Sequence, residues 1–138
     1  MPVIKELICA NANKTISFGN YELSEKAKAD GFEFGGDIYK VKTFCEITKL
    51  EKNGLFVYES VPGTAVNELE VTDKGMEFNV EGTEATQITV ELEPSAEYKV
   101  FINDLQTGKM KTNLSGKLVI SVELGGNIAA NVKIDKIG

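Results

Sequence analysis

Regular alternation of apolar and polar residues is the feature that most constrains how this chain can fold. In residues 86–93, Ile88, Val90 and Leu92 alternate with polar side chains. Because successive side chains of a β-strand point to opposite faces, the pattern predicts a half-buried strand with one face in water. The same alternation recurs in five other sets after residue 66: Leu69 and Val71; Met76, Phe78 and Val80; Tyr98, Val100 and Ile102; Leu118, Ile120, Val122 and Leu124; and Ile128, Ala130, Val132 and Ile134.

Residues typical of tight turns separate these alternating runs. They are Asp73-Lys74-Gly75, Pro94-Ser95, Asp104 to Gly108, Leu114-Ser115-Gly116 and Gly125-Gly126-Asn127. Short strands joined by closely spaced turns are typical of antiparallel sandwiches. We therefore expect residues 67–138 to form a C-terminal β-sandwich of about six strands.

The first 66 residues contain a strong hairpin signal at Asn53-Gly54. This dipeptide suits the two positive φ angles of a type I′ turn, and its two-residue loop fixes the strand register. The predicted pairs are Lys52 with Leu55, Glu51 with Phe56, Leu50 with Val57, and Lys49 with Tyr58. One face of the hairpin then carries Leu50, Leu55 and Val57, and the other carries Ile47, Phe56 and Tyr58.

Other strands are expected upstream of this hairpin, at residues 3–9, 15–23, 32–34 and 38–44. In residues 38–44, Tyr39, Val41 and Thr43 share one face. Residues 24–31 allow two interpretations: a short helix capped by Ser24 and closed by Gly31, or an extended strand that carries lysines. The best boundary between the halves is Pro62-Gly63-Thr64, which predicts two regions, 1–66 and 67–138.

The chain lacks the side chains on which most enzyme classes depend. It contains no histidine, and all fifteen basic residues are lysine. Without imidazole there is no Ser–His or Cys–His pair and no histidine metal ligand, and without arginine there is no bidentate donor for carboxylate or phosphate. We therefore predict a non-catalytic protein with no catalytic residues, no cofactor and no metal site.

Charge and hydropathy exclude several partners. The net charge of −6 repels phosphate backbones and anionic lipid headgroups, so neither nucleic acid nor a membrane surface is an expected partner. No apolar run approaches the roughly 18 residues that a membrane-spanning helix needs. The first residues reach charged side chains before any run of secretory length, which predicts a cytoplasmic protein. Cys9 and Cys45 are accordingly expected to be reduced, buried side chains.

The two apolar faces of residues 38–60 suggest self-association, since one core can cover only one of them. We predict a structural protein whose partner is a second copy of itself, bound through Ile47, Phe56, Tyr58, Tyr39 and Val41. Lysines concentrate in the N-terminal half and glutamates in residues 67–97. This asymmetry indicates either protection of strand edges or head-to-tail attraction between copies.

Two other functions fit parts of the sequence. A module that binds carbohydrate or another small ligand would use Tyr39, Phe56 and Tyr58 as an aromatic platform. A small hydrolase would have to rely on carboxylates alone, and most glutamates occupy the polar phase of an alternating strand, where solvated surface is the simpler interpretation.

Two resemblances accompany this interpretation. Tyr98-Lys-Val-Phe-Ile-Asn103, Gly108-Lys-Met-Lys-Thr112 and Gly116-Lys-Leu-Val-Ile-Ser-Val122 resemble strands of immunoglobulin-like accessory modules of bacterial proteins. The strand and hairpin patterns predict an all-β fold in which N-terminal antiparallel strands and a long hairpin are packed on, or joined to, a C-terminal β-sandwich, and the resemblance implies that this sandwich is Ig-like. It is a likeness of fold alone and implies no activity.

The second resemblance spans the whole chain. It is carried by Ile16-Ser-Phe-Gly-Asn-Tyr-Glu-Leu23, Tyr39-Lys-Val-Lys-Thr-Phe44, Glu46-Ile-Thr-Lys-Leu-Glu-Lys-Asn-Gly54 and Val57-Tyr-Glu-Ser-Val-Pro-Gly-Thr64. These segments are similar to a group of short Firmicutes proteins, some of which are labelled endosialidase. Sialidases hold their substrate's carboxylate with clustered arginines, which this chain lacks, so the resemblance implies only an oligomeric β-structured accessory protein.

Overall fold

Thirteen β-strands and no helix are present among the residues described by the computed structural model, which are 3–125 and 129–137. The all-β prediction is confirmed. The strands form two antiparallel sheets that pack face to face as a β-sandwich.

One sheet has seven strands and the other has six. The seven-stranded sheet has the order β1 (Ile8–Ala10), β2 (Ile16–Phe18), β7 (Ala65–Thr72), β8 (Gly75–Glu81), β13 (Ala130–Lys136), β10 (Glu97–Ile102) and β11 (Leu105–Lys111). The six-stranded sheet has the order β12 (Lys117–Val122), β9 (Thr86–Glu91), β6 (Leu55–Val61), β5 (Ile47–Lys52), β4 (Asp37–Phe44) and β3 (Ala27–Phe34).

The two predicted regions, 1–66 and 67–138, share both sheets. Strand β2 pairs with β7 in one sheet and β6 pairs with β9 in the other, so each sheet combines strands from both sides of residue 66. That residue lies inside β7. The predicted division fails to appear because alternation shows which side chains are buried but not which sheet a strand joins.

The Asn53-Gly54 hairpin is confirmed, and its register departs from the prediction after two pairs. Both turn residues have positive φ, 53° and 79°, and Lys52 pairs with Leu55 and Glu51 with Phe56. A β-bulge at Val57 then shifts the register, so that Leu50 faces Tyr58. The predicted pairs of Leu50 with Val57 and Lys49 with Tyr58 are wrong, because a bulge adds one residue to one strand and reverses the facing of those that follow.

Of the two interpretations of residues 24–31, the extended strand is correct from Ala27 onward. Residues 27–31 belong to β3, which has a bulge at residues 30–31, where Gly31 has a φ of +70°. Strands β1 and β2 are shorter than predicted. The turn expected at Asp104 to Gly108 is confined to Asn103 and Asp104, which have positive φ. Gly126, Asn127 and Ile128, for which a turn and a strand start were predicted, lie outside the described residues.

The passage from β6 to β7 carries the chain from one sheet to the other, and a buried polar network fixes it. The Thr48 hydroxyl donates a hydrogen bond to the Thr64 carbonyl (2.8 Å), accepts one from the Thr64 N–H (3.0 Å), and shares a third with the Thr43 hydroxyl (2.8 Å). The Thr64 hydroxyl in turn shares hydrogen bonds with Tyr58 and Ser60, each 2.8 Å. All five side chains are buried.

Close backbone packing and aromatic contacts also hold this crossover in place. A Cβ added to Gly63 would lie 2.1 Å from the Phe44 carbonyl oxygen, so only glycine fits there. The Tyr58 ring packs edge-on between Phe18 and Phe78, with centroid distances of 5.3 and 5.6 Å. Tyr58 therefore joins the apolar core to the polar network at the point where the chain changes sheet.

Thr48→Val tests this network at nearly constant side-chain volume. The substitution leaves the buried Thr64 N–H and carbonyl without their side-chain partner, so we expect a loss of about 3 kcal/mol in the free energy of unfolding. Urea denaturation measures it. Thr89→Val, on the outer face of the same sheet, should change stability by less than about 0.5 kcal/mol. Equal effects of the two substitutions would contradict the role given to Thr48.

Candidate interaction surfaces

The predicted interface residues Val41 and Tyr58 are corrected by the structure, since each is 0% exposed in the core of its own chain. For Tyr58 the cause is the bulge at Val57, which turns the ring inward beside Leu50. Val41 lies on the inward phase of β4, between the neighbouring core positions of β3 and β5. Neither side chain is available to a partner.

Ile47 and Phe56 lie on the outer face of the six-stranded sheet, where both are half-buried. Ile47 pairs with Phe44 across β4 and β5, and Phe56 pairs with Glu51. The Lys117 ammonium lies 5.0 Å from the centroid of the Phe56 ring and covers part of it. Other apolar side chains are more open on this face: Ile38 (51% exposed), Val61 (52%) and Val119 (43%).

A row of lysines crosses the same outer face. Lys28 on β3 lies directly opposite Lys42 on β4, which lies opposite Lys49 on β5. Together with Lys40 and Glu51 they line a shallow hollow of about 80 Å³. Like charges directly opposite each other in a sheet are destabilising, and Glu51, 3.6 Å from Lys49, and Glu59, directly opposite Lys49 on β6, offset part of the repulsion. The row is therefore a local concentration of positive charge on a protein of net negative charge.

The outer face of the seven-stranded sheet carries the complementary charge. Glu70 on β7 lies directly opposite Glu77 on β8, and Glu68 is exposed next to them at a bulge of β7. Asn13 donates a hydrogen bond to Glu68 (3.1 Å) and Asn131 donates one to Glu77 (3.2 Å). Neutral amides thus contact two of these carboxylates, and Lys133 on β13, directly opposite Glu77, offsets part of the Glu70–Glu77 repulsion.

Tyr39, the remaining predicted interface residue, points inward at the end of the sandwich where the sheets separate. It lines a cleft of about 470 Å³ together with apolar side chains of both sheets, among them Phe34, Val57, Leu69 and Met76. The Phe34 and Tyr39 rings are 6.3 Å apart and tilted. Burial, with a smaller contribution from Asp37, raises the pKa of the Tyr39 hydroxyl above its ordinary value.

Cysteine and acidic side chains are the groups of this chain that could supply a nucleophile or metal ligands. Cys9 and Cys45 are unpaired, and the exposure of Cys45 corrects the expectation that both are buried. Burial raises the pKa of the Cys9 thiol, which disfavours the reactive thiolate. Within residues 3–125 and 129–137, no group of three or more histidine, cysteine, aspartate or glutamate side chains is placed to hold a metal ion.

Comparison with protein-family profiles, curated proteins and solved structures gave no match to this chain. The resemblances to immunoglobulin-like modules and to endosialidase-labelled proteins therefore stay predictions. In the part of the chain that the structure describes, no helix has the length and apolar character needed to span a membrane.

Sequence reasoning found the apolar half of the outer face but missed the lysine row as a unit. Lys40, Lys42 and Lys49 alternate with apolar residues along their strands, so the sequence alone predicts that they face outward. Their adjacency depends on the register of three strands, and in particular on Lys28 lying opposite Lys42. The Asn53-Gly54 turn fixes only the register of β5 with β6.

Lys42→Glu should stabilise the isolated chain. The new carboxylate would replace two like-charge contacts, with Lys28 and Lys49, by two attractive ones, so we expect a gain of about 1 kcal/mol in the free energy of unfolding. Urea denaturation at low protein concentration measures it, and about 0.5 M NaCl should shrink the gain.

The matched control is Lys111→Glu, which makes the same charge change opposite Glu97 on β10. It should destabilise the chain by about 0.5 kcal/mol, since it creates a like-charge pair. Two variants that shift stability in the same direction would show that net charge, and not cross-strand pairing, decides the result.

Proposed function

We propose that this is a non-catalytic structural protein that self-associates through the outer face of strands β3 to β6. The observation that supports the proposal is the pair of oppositely charged faces. The Lys28–Lys42–Lys49 row and the Glu70–Glu77 pair each set like charges opposite one another, and Glu59 opposite Lys49 and Lys133 opposite Glu77 offset only part of this within the chain. Contact between copies converts both repulsions into attraction.

The position of the two faces determines the kind of assembly. They lie on opposite sides of the sandwich, because one is the outer face of the six-stranded sheet and the other that of the seven-stranded sheet. A contact between different faces of two copies is heterologous and leaves one face of each copy free. Repetition of the contact therefore builds a stack, which grows into a filament unless a rotation closes it into a ring.

The apolar side chains of the basic face give this contact more than electrostatic attraction. Ile47 and Phe56 are half-buried there, and Ile38, Val61 and Val119 present apolar surface that the chain does not cover. Burying apolar area contributes roughly 25 cal/mol per Å². Charge would steer the encounter and set the orientation, and apolar burial would add affinity.

A non-catalytic role is consistent with the side chains available. The sequence contains no histidine or arginine, so the usual general base and the usual bidentate anion donor are missing. The two unpaired cysteines fit a reducing compartment such as the cytoplasm. Both points favour a role that needs neither a histidine base nor an arginine anion site and does not depend on a disulfide.

Sedimentation velocity at tens of micromolar tests the proposal. In low salt we expect species heavier than the 15.0 kDa chain, and about 0.5 M NaCl should shift them towards the single chain by screening the charges. Lys42→Glu should abolish the heavier species although it stabilises the fold, which separates lost association from unfolding. Lys111→Glu should leave them in place.

A mixing experiment tests the pairing of the two faces. Glu70→Lys alone should also be a single chain, because it damages the acidic face. An equimolar mixture of the Lys42→Glu and Glu70→Lys variants should recover association, since each supplies the face that the other has lost. A wild-type protein that sediments only as a single chain in low salt would refute the proposed function.

The inter-sheet cleft favours a second function, the binding of a small ligand. Apolar side chains of both sheets line it together with the Tyr39 hydroxyl, and charged residues also line it: Lys14, Lys52, Asp37, Glu70 and Glu91. Asp37 accepts a hydrogen bond from Asn53 (2.9 Å) and Glu91 pairs with Lys117 (3.6 Å). A cleft of this volume lies in the range of small-molecule sites and suits a largely apolar ligand that also carries polar groups.

The neutral dye Nile red tests this second function by its fluorescence on binding. Val71→Phe, at the rim, should fill the mouth of the cleft and reduce binding at least about tenfold, which corresponds to about 1.4 kcal/mol. Leu105→Phe, at the start of β11, should leave binding unchanged. Equal binding by all three proteins would show that the dye does not report on the cleft.

A further inference from the structure

Where the six-stranded sheet borders the inter-sheet cleft, its inner face carries a row of side chains with a single charge. Phe32 on β3 lies directly opposite Tyr39 on β4. Lys52 on β5 lies opposite Tyr39 on one side and opposite Leu55 of β6 on the other. Residues paired across neighbouring strands share one face of a sheet, with Cβ atoms about 5 Å apart. Lys52 therefore stands between an aromatic and an aliphatic side chain.

The alternation of β5 shows that Lys52 faces the cleft. Thr48 and Leu50 are both 0% exposed in the core, so position 52 continues the inward phase of the strand. Lys49 and Glu51 take the outward phase and line the hollow on the other side of the sheet. Lys52 is half-buried and lines the cleft. It thus belongs to the cleft and not to the lysine row.

The Lys52 ammonium has no ion-pair partner and no hydrogen bond in the part of the chain that the structure describes. The same holds for the ammonium of Lys14, which is exposed and lines the cleft from the seven-stranded sheet, between β1 and β2. A charge held against apolar neighbours loses part of its hydration, and an anion placed beside it compensates for that loss. The cleft therefore presents two unpaired cations, one from each sheet.

Three carboxylates also line the cleft, and each is bonded or directed elsewhere. Asp37 accepts a hydrogen bond from the Asn53 side chain (2.9 Å), and Glu91 pairs with Lys117 (3.6 Å). Glu70 belongs to the acidic outer face of the seven-stranded sheet. The lysine charges are thus the ones that a ligand between the sheets can use.

Hydrogen bonds between two hairpins fix the wall that carries Lys52. The Ile38 N–H donates to the side-chain carbonyl of Asn53 (2.9 Å), and the Asn53 N–H donates to the Ile38 carbonyl (2.7 Å). These bonds join the β3–β4 hairpin to the Asn53-Gly54 turn. Lys52 and Tyr39 are therefore held in place before a ligand arrives, which lowers the entropic cost of binding.

We infer that the inter-sheet cleft binds an amphipathic monoanion, a molecule with an aliphatic body and one terminal carboxylate. The aliphatic body lies between the sheets, against Val57, Leu69 and Met76. The carboxylate accepts hydrogen bonds from the Lys52 ammonium and the Tyr39 hydroxyl. This ligand class deepens the second function proposed above, small-ligand binding, and rests on it.

The surroundings of the cleft restrict the ligand to this class. Leu55 and Val71 are 67% and 51% exposed at its mouth, so an aliphatic chain has apolar surface to cover there. A cationic amphiphile would place its charge beside Lys52, and the nearby carboxylates disfavour a ligand with two negative charges. A single negative charge on an apolar body satisfies both conditions.

Displacement of bound Nile red by three ten-carbon compounds tests the ligand class. Decanoate, 1-decanol and decyltrimethylammonium, each below its micelle-forming concentration, share one chain length and differ in charge. Decanoate should bind at least about tenfold more tightly than decanol, because charge-assisted hydrogen bonds add to the same apolar burial. Decyltrimethylammonium should bind more weakly than decanol. Isothermal titration calorimetry measures decanoate binding without the dye.

Lys52→Met tests the position of the carboxylate, since methionine keeps much of the side-chain length and removes the charge. Decanoate binding should weaken at least about tenfold, and decanol binding should not weaken. Lys40→Met is the matched control, because Lys40 is exposed in the outward phase of β4, opposite Glu51. It makes the same charge change and should alter decanoate binding by less than about twofold, since water and salt screen an exposed charge.

The outcomes separate this inference from the function on which it rests. If decanol displaces Nile red and decanoate binds no more tightly than decanol, the anionic class is overturned and small-ligand binding stands. Equal loss of decanoate binding in Lys40→Met and Lys52→Met would place the anion on the outer face and overturn the role of Lys52. Absence of Nile red binding, together with absence of decanoate binding by calorimetry, would overturn both proposals.

Discussion

The hydroxyl of Thr48 is the contact on which the rest of this sandwich depends. It bonds both the N–H and the carbonyl of Thr64, in the short segment where the chain leaves the six-stranded sheet and enters the seven-stranded one. A chain that changes sheets must take polar backbone through an apolar interior, and each unpaired group there costs free energy. The Thr48 side chain satisfies both of these groups at Thr64, so the crossover is both buried and fixed.

The fixed crossover decides which faces point outward, and through them what the molecule can do. Strand β6 enters it from one sheet and β7 leaves it in the other, and the inward phase of both is set by the residues that contact Tyr58 and Thr64. The remaining phase of β4 and β5 carries lysines, and that of β7 and β8 carries glutamates. The charge asymmetry of the sequence thus becomes two opposed surfaces, which is the basis of the proposed assembly.

Local chemistry made much of the fold predictable. Alternation identified the strands of the second half, and Asn53-Gly54 predicted the turn, because that dipeptide tolerates two positive φ angles. The bulge at Val57 was not predictable, since it depends on what Tyr58 meets across the sandwich. Phe18 and Phe78 contact that ring from distant parts of the sequence, and no local pattern records the contact.

The candidate surfaces, like the fold, were predictable where they depend on local sequence and not where they depend on contacts between distant segments. Ile47 and Phe56 were correctly placed on an outward face, whereas Val41 and Tyr58 were not, because facing depends on register and on the opposing sheet. The lysine row required knowledge of strand order. Strand order comes from pairings between distant segments, such as β6 with β9.

Native-state hydrogen exchange of the Thr64 amide is the most direct test of the buried crossover. If the Thr48 hydroxyl holds this segment as described, the amide will exchange only through global unfolding, with the same protection as Val90 in the centre of the sheet. Exchange at the rate of an exposed turn amide such as that of Gly54 would contradict it, and would show that the crossover opens while the sheets stay folded.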